Sequence, residues 1–261
     1  MSRKISAKIE SPVDGPAYFA PALEKGFNVI ELLARTPDGL TASEIAAGLG
    51  LSMSEIFRII MVMERRRWLR KSAGDKYRVT PLVLDLAFRA TPAEELAAVA
   101  SPHMKEFAQA TDQSCHLVMR SGSKGLVIMR QQNPGPTGFH VRIGTQLDLE
   151  TTCSGHVLLA FGEPGPDFSP GASADSRLHA TLSAVQQRGY ERMESARTLG
   201  VTDVSYPVFD FHGDIAAALT VPFLRLIDGT QSVHLEQAQD MLANTAKRIT
   251  AELTGRDRRE A

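Results

Sequence analysis

Cysteine is nearly absent from this chain. Two residues in 261, Cys115 and Cys153, supply neither a disulfide framework nor the paired spacing of a zinc finger, which fits a reducing compartment. Long apolar runs are missing too. No stretch approaches the roughly 20 residues that span a bilayer. The opening MSRKISAKIE lacks the apolar segment of a secretory signal. A cytoplasmic protein without membrane contact is the expectation. With one tryptophan, Trp68, and aromatics at 6%, no base-stacking platform is offered, and Trp68 reads as a core anchor. There is no internal repeat or low-complexity segment, so solenoid folds are excluded.

Net charge is also close to absent, −1 overall, but it is unevenly spread. Residues 1–80 carry 13 Lys/Arg against 9 Asp/Glu, and the remainder 16 against 21. From Arg58 to Arg78 eight basic residues stand with only Glu64 and Asp75. Such a cluster suits phosphate binding, where each neutralised phosphate releases counterions. The alternative is a solvated helix end whose arginines complement the dipole. The length is enough for two domains, each with its own core.

The stretch Thr41 to Thr80 is the most structured in its signals. Thr41 and Glu44 form a capping-box pair ahead of Ile45, Ala46 and Leu49, and Gly50 stands where a helix would stop. Ser52 caps a second helix with Ile56, Ile59, Ile60 and Met63 along one face, leaving Ser54, Glu55 and Arg58 largely off it. A hairpin follows, Leu69 to Val79, turning at Ala73-Gly74-Asp75. Two helices on a glycine turn, then a basic hairpin, make a winged helix-turn-helix, which suits a DNA major groove.

Upstream, Leu23 to Ala34 predicts an amphipathic helix with Leu23, Phe27, Ile30 and Leu33 on one face. Downstream, Pro81 to Thr111 is helical with a break at Thr91-Pro92. Its wide apolar faces fit a dimer seam, or packing against the winged domain. From Ser114 the period changes to strands: SCHLVMR and LVIMRQQ as a hairpin, GFHVRIG as a third strand, then VSYPVFD and IAAALTVPF as a second hairpin. Helices are expected at Cys153–Phe161, at 177–188 and at 231–253. The fold class is α+β, with an antiparallel sheet. The expected division is a flexible basic tail over 1–19 and the winged domain over 20–80. A connecting helical region follows over 81–112, then a sheet domain over 113–255 and a short tail over 256–261.

ALEKGFNVIELLA, SEIAAGLGLSMSEIFRIIMVMERRRWL and IGTQLDLETTCSGHVLLAF occur in that order. Together they closely resemble the IclR family of bacterial transcription regulators, over nearly all of residues 22–253. The resemblance implies a winged helix-turn-helix, a connecting helix and a GAF-like domain that binds a small effector. It also implies dimers, or dimers of dimers, on pseudo-palindromic double-stranded operators.

By position the resemblance carries DNA contact to Ser52, Ser54, Glu55 and Arg58, joined by Arg65 at the helix end and Lys76 and Arg78 on the hairpin. The family often has Thr at the place of Glu55. A glutamate there accepts from a cytosine amino group or merely stabilises the helix N-terminus. Effector contact carries over to Leu147, Thr152, Cys153, Ser154, Asp203, Thr220 and Pro222. Glu150 stands where His is common, His156 where Lys is common, and Asp203 where Cys or a small residue is common. Two carboxylates near the cavity disfavour a simple 2-oxo acid and favour a neutral, aromatic or amine-bearing ligand.

Three other readings stay open. Glu150, Cys153, His156 and Asp203 include zinc-compatible ligands, though without paired spacing. Cys153 at a helix start, with His116 or His156 as base, could be a reactive thiol. The winged domain could be an architectural module beside a vestigial pocket. No nucleophile–base–orienter set is visible, so no enzyme, cofactor or metal is expected.

Overall fold

The computed structural model describes residues 20–163, 176–227 and 231–260, with side chains as far as residue 255. The tail at 1–19 lies outside them. The chain divides into two compact units between Ala90 and Thr91.

In the first unit, α1 (Pro21–Ala34) opens with proline at its first position, where no N–H is needed. Thr41 and Glu44 form the full capping box of α2 (Ala42–Leu49). Gly50 ends α2 at φ +66°, a conformation that a Cβ would disfavour. A second capping box, Ser52 with Glu55, starts α3 (Met53–Arg65), and the chain bends by 117° between α2 and α3. Strands β1 (Leu69–Ser72) and β2 (Lys76–Val79) form the antiparallel wing. Leu40 bridges to Tyr77 and extends it. Val29, Leu33, Ile45, Ile56, Ile60, Leu69 and Tyr77 fill the core. The last helix, α4 (Leu82–Ala90), leaves Leu84 and Phe88 exposed.

One expected face is different. Leu23 and Phe27 do not join Leu33 in the core; both are more than half exposed, and Val29 takes the buried place. The spacing of Leu23, Phe27 and Ile30 is helical, but that stripe lines an open groove beside Ile59 and Val62 of α3.

The second unit begins with α5 (Ala93–Thr111), after the break at Thr91-Pro92. Its sheet comprises β3 (Cys115–Ser121), β4 (Lys124–Gln131), β5 (Gln146–Asp148), β6 (Glu191–Glu194), β7 (Val201–Phe209) and β8 (Ile215–Leu224). All pairs are antiparallel, in the order β5-β4-β3-β8-β7-β6. Helices α6 (Cys153–Phe161), α7 (Ser176–Arg188) and α8 (Leu235–Glu260) complete it.

Alternation along the strands sends side chains to two layers. Leu117, Leu219, Val221 and Val204 face α5 and α8, where Met104, Leu242 and Ile249 are buried. Each such Leu or Ile contributes roughly 1.5–3 kcal/mol by leaving water. Val118, Val127 and Ala218 face α6 with Val157 and Leu158. His116, Asp203 and Thr220 share that second face by parity, and this places the candidate cavity.

GFHVRIG forms no strand: residues 138–144 are irregular, and the third pairing on that side comes from β5. The alternating Phe139 and Val141 point into a cavity rather than along a ladder, and Ile143 is exposed. Strand β6 had no expectation attached to it. Helix α8 starts at Leu235, four residues later than expected, and continues to Glu260 through the segment assigned to the C-terminal tail.

Candidate functional site

Two regions carry the residues singled out above, one in each unit. In the first unit, Ser52, Ser54, Arg58 and Arg65 are all exposed on α3 or its cap. Arg58 donates from Nε to the Ser54 carbonyl at 3.2 Å, which holds the guanidinium along the helix. Arg66, Arg67 and Arg70 are exposed at the helix end and on β1.

Glu55 is differently placed. Its Oε1 accepts from Lys25 Nζ of α1 at 2.6 Å, and Oε2 accepts from the Ser52 hydroxyl at 2.6 Å and the Ser52 N–H at 3.1 Å. Lys25 and then Ser52 draw its pKa down to about 2. The carboxylate is thus occupied by its own domain. Arg78 folds back too, donating from Nη2 to the Asp38 carbonyl at 3.1 Å. Lys76 is half-buried at the start of β2. On the wing, Lys71 pairs with Asp75 at 2.9 Å.

In the second unit a small cavity of about 50 Å³ lies between the sheet and the start of α6. Leu147, Thr152, Cys153, Ser154, Asp203 and Thr220 all line it; Pro222, paired with Asp203 across β7 and β8, does not. The structure adds His116, Phe139, Val141 and the 195–198 loop. Thr152 Oγ1 caps α6 by accepting from the Gly155 N–H at 3.2 Å and donates to the Asp148 carbonyl at 2.5 Å.

Asp203 has a pKa raised to about 6, chiefly by burial and slightly by Glu194, against a hydrogen bond from Ser195. Burial alone lowers His116 to about 4, so its imidazole is neutral. At 4% exposure on the cavity wall, it offers one donor and one acceptor. Beside it, Thr220 bonds Ser205 through their hydroxyls at 2.8 Å.

Glu150 and His156 do not reach the cavity. The Glu150 side chain is exposed, so one carboxylate, not two, lines the pocket. His156 Nδ1 meets Glu191 Oε2 at 3.0 Å, and Nε2 meets the Glu150 carbonyl at 2.8 Å. Burial opposes charge on His156, but Glu191 and that carbonyl prevail and raise its pKa. Arg188 closes the network on Glu191 Oε1 at 2.8 Å. Both ring nitrogens are engaged, which leaves none for a metal; among the described residues no His, Cys, Asp and Glu gather as a metal cluster.

Cys153 donates to the Glu191 and Asp203 carbonyls at 3.4 Å each. Burial, then Asp203 and Glu191, push its pKa well up, so the thiol is a neutral donor rather than a nucleophile. Burial pushes Cys115 up likewise.

Two family models overlap parts of these regions. Residues 22–73 match the IclR helix-turn-helix domain, and residues 88–166 match the bacterial transcriptional regulator IclR C-terminal domain. The chain belongs to the IclR family. Among curated IclR-family relatives, the DNA-binding transcriptional repressor YiaJ of Escherichia coli (strain K12) is 21% identical, over 77% of each chain. The HTH-type transcriptional regulator KdgR of the same organism is 23% identical, over 88% of this chain and 91% of its own. Both relatives are named as transcription regulators.

Two solved structures share the fold. An IclR homolog from Microbacterium hydrocarbonoxydans, complexed with 4-hydroxybenzoate, superposes with a TM-score of 0.73 at 24% identity, covering 90% of this chain and 99% of its own. The Thermotoga maritima IclR gives 0.64 at 21%, covering 89% and 98%. The IclR-family chain here has a helix-turn-helix unit and a curled antiparallel sheet unit. No single helix among the described residues is long and apolar enough to cross a membrane.

Phe139 and Val141 escaped sequence reasoning, and His116 entered it only as a base for Cys153, not as a cavity wall residue. The parity of His116 with Val118 was the available signal, since it puts both on one face of β3.

Proposed function

We propose that this IclR-family chain binds pseudo-palindromic operator DNA as a homodimer or a dimer of dimers in the cytoplasm. A small organic effector in the sheet unit modulates that binding. The observation that carries the DNA part is the exposed α3 face of Ser54, Arg58 and Arg65, behind a second capped helix set at 117°. Arg58 and Arg65 meet phosphates or base edges from there. Ser52 assists at the helix start and Lys76 on the wing. Glu55 acts indirectly, fixing the start of α3 through Lys25 and Ser52. Arg78 braces the turn beneath the wing.

The cavity supports the effector part. Its wall is apolar through Phe139, Val141 and Leu147, with His116 and Asp203 as polar handles. At about 50 Å³ it holds one or two waters of roughly 30 Å³ each, whereas organic ligands occupy sites of about 300–1,000 Å³. An effector therefore binds an opened state, and that difference in affinity is what biases the regulator. Asp203, ionised at neutral pH, selects a ligand with a donor group, such as a phenol or an amine. The hydroxyl of 4-hydroxybenzoate, which the Microbacterium hydrocarbonoxydans homolog binds, is one such donor.

The test pairs thermal melting with operator affinity, using 4-hydroxybenzoate, benzoate and 4-hydroxybenzylamine as probes. A donor-bearing probe raises the melting temperature and shifts operator affinity. Asp203→Ala abolishes that response and leaves DNA binding intact. Loss of DNA binding by a folded Asp203→Ala protein contradicts this division of labour.

A further inference from the structure

Ser54, Phe57, Arg58, Met61 and Arg65 fall at the i, i+3, i+4, i+7, i+11 spacing of one helical face. All five are exposed. Two are large and apolar: Phe57 is 54% exposed and Met61 48%. They are not spare core, because Ile56, Ile60 and Met63 already fill the buried side of α3. Nor does an apolar protein partner suit the face. Burying Arg58 and Arg65 against one would strand two guanidinium groups, since none of the five residues is a carboxylate and Glu64 stands half-buried at the edge of the face.

The surface that suits alternating apolar and cationic side chains is a polyanion with an apolar group at its edge. A DNA major groove offers one such group, the C5-methyl of thymine, flanked by phosphates. We propose that Phe57, with Met61 beside it, reads thymine methyl groups in each operator half-site while Arg58 and Arg65 engage the flanking backbone. Phe57 is then a specificity-determining residue, and each half-site contains a thymine whose methyl is required. The proposal rests on the DNA-binding reading above.

The test uses the full chain and an operator obtained by selection from a random duplex pool. Each thymidine of a half-site is replaced in turn by deoxyuridine, which removes the methyl and keeps every hydrogen-bonding group. At one or two positions affinity falls about fourfold, the order expected for one buried methyl. In Phe57→Ala, which binds more weakly, the same replacements have no effect; Phe57→Leu keeps part of the sensitivity. Uridine replacement without effect at every position overturns the proposal, as does an equal loss in Phe57→Ala. If Phe57→Ala keeps the wild-type uridine profile but sediments as a smaller species, the face joins two copies of the chain and the proposal fails. If no duplex is enriched, the DNA-binding reading itself has failed, a result distinct from the others.

Discussion

Lys25 Nζ lies 2.6 Å from Glu55 Oε1, tying α1 to the first turn of α3. The charge of Glu55 is thereby paired within its own unit. The pair is partly exposed, so its value depends on salt. The Glu55 pKa is depressed in the folded state, from 4.5 to about 2. Its stabilisation is therefore present above pH 4.5 and lost as pH falls toward 2. Glu55→Gln melts below the wild type at neutral pH, and the gap narrows below pH 4.5. A double-mutant cycle of Lys25→Ala and Glu55→Ala is non-additive. Additive losses would show that the two side chains act separately.

Asp203 has the opposite sign. Its folded pKa stands near 6 against 3.8 for an ordinary aspartate, so ionisation weakens the fold as pH rises through that window. Asp203→Asn removes the penalty. The variant gains about 1–3 kcal/mol at pH 7–8, read by denaturant unfolding, and gains nothing at pH 3 or below. Such a cost is what the proposed effector reading entails for a carboxylate in the cavity. Equal stability of the two proteins at pH 8 would remove this argument.

Gly155 sits where α6 presses on the loop after β5. A Cβ there would overlap the Leu149 carbonyl and come 2.7 Å from the Asp148 carbonyl, both rigid backbone. Gly155→Ala costs about 2–4 kcal/mol and unseats the Thr152 cap on the cavity wall. Gly26, with nothing near its Cβ position, is the control: Gly26→Ala in α1 leaves stability unchanged or slightly raised. A Gly155→Ala protein that melts like the wild type would contradict the packing described.

The legible parts of this chain were the local ones. Caps at Thr41 and Ser52, the αL stop at Gly50, and the Cys153 helix start depend on neighbours within four residues, and each stands where its signal puts it. Periodicity misled where an apolar stripe faced something other than the core. Leu23 and Phe27 line a groove, and Phe139 and Val141 line a cavity, yet both pairs keep the spacing of buried elements. The cavity was located by the family resemblance, through six of its wall residues. Its polar character was legible only in part: Asp203, Thr152 and Thr220 came with the resemblance, but His116 gains its isolation from packing, and His156 is drawn away by Glu191, 35 residues on. No local pattern carries such a pairing.

The most direct measurement is selection of duplexes from a random pool by the full chain, with the affinity of the enriched sequence followed against salt. A pseudo-palindrome with half-sites about one helical turn apart is predicted. Its affinity falls steeply with salt, and Arg58→Ala weakens it and lowers the slope by about one. Binding without a consensus, or a consensus whose affinity Arg58→Ala leaves unchanged, would contradict the account.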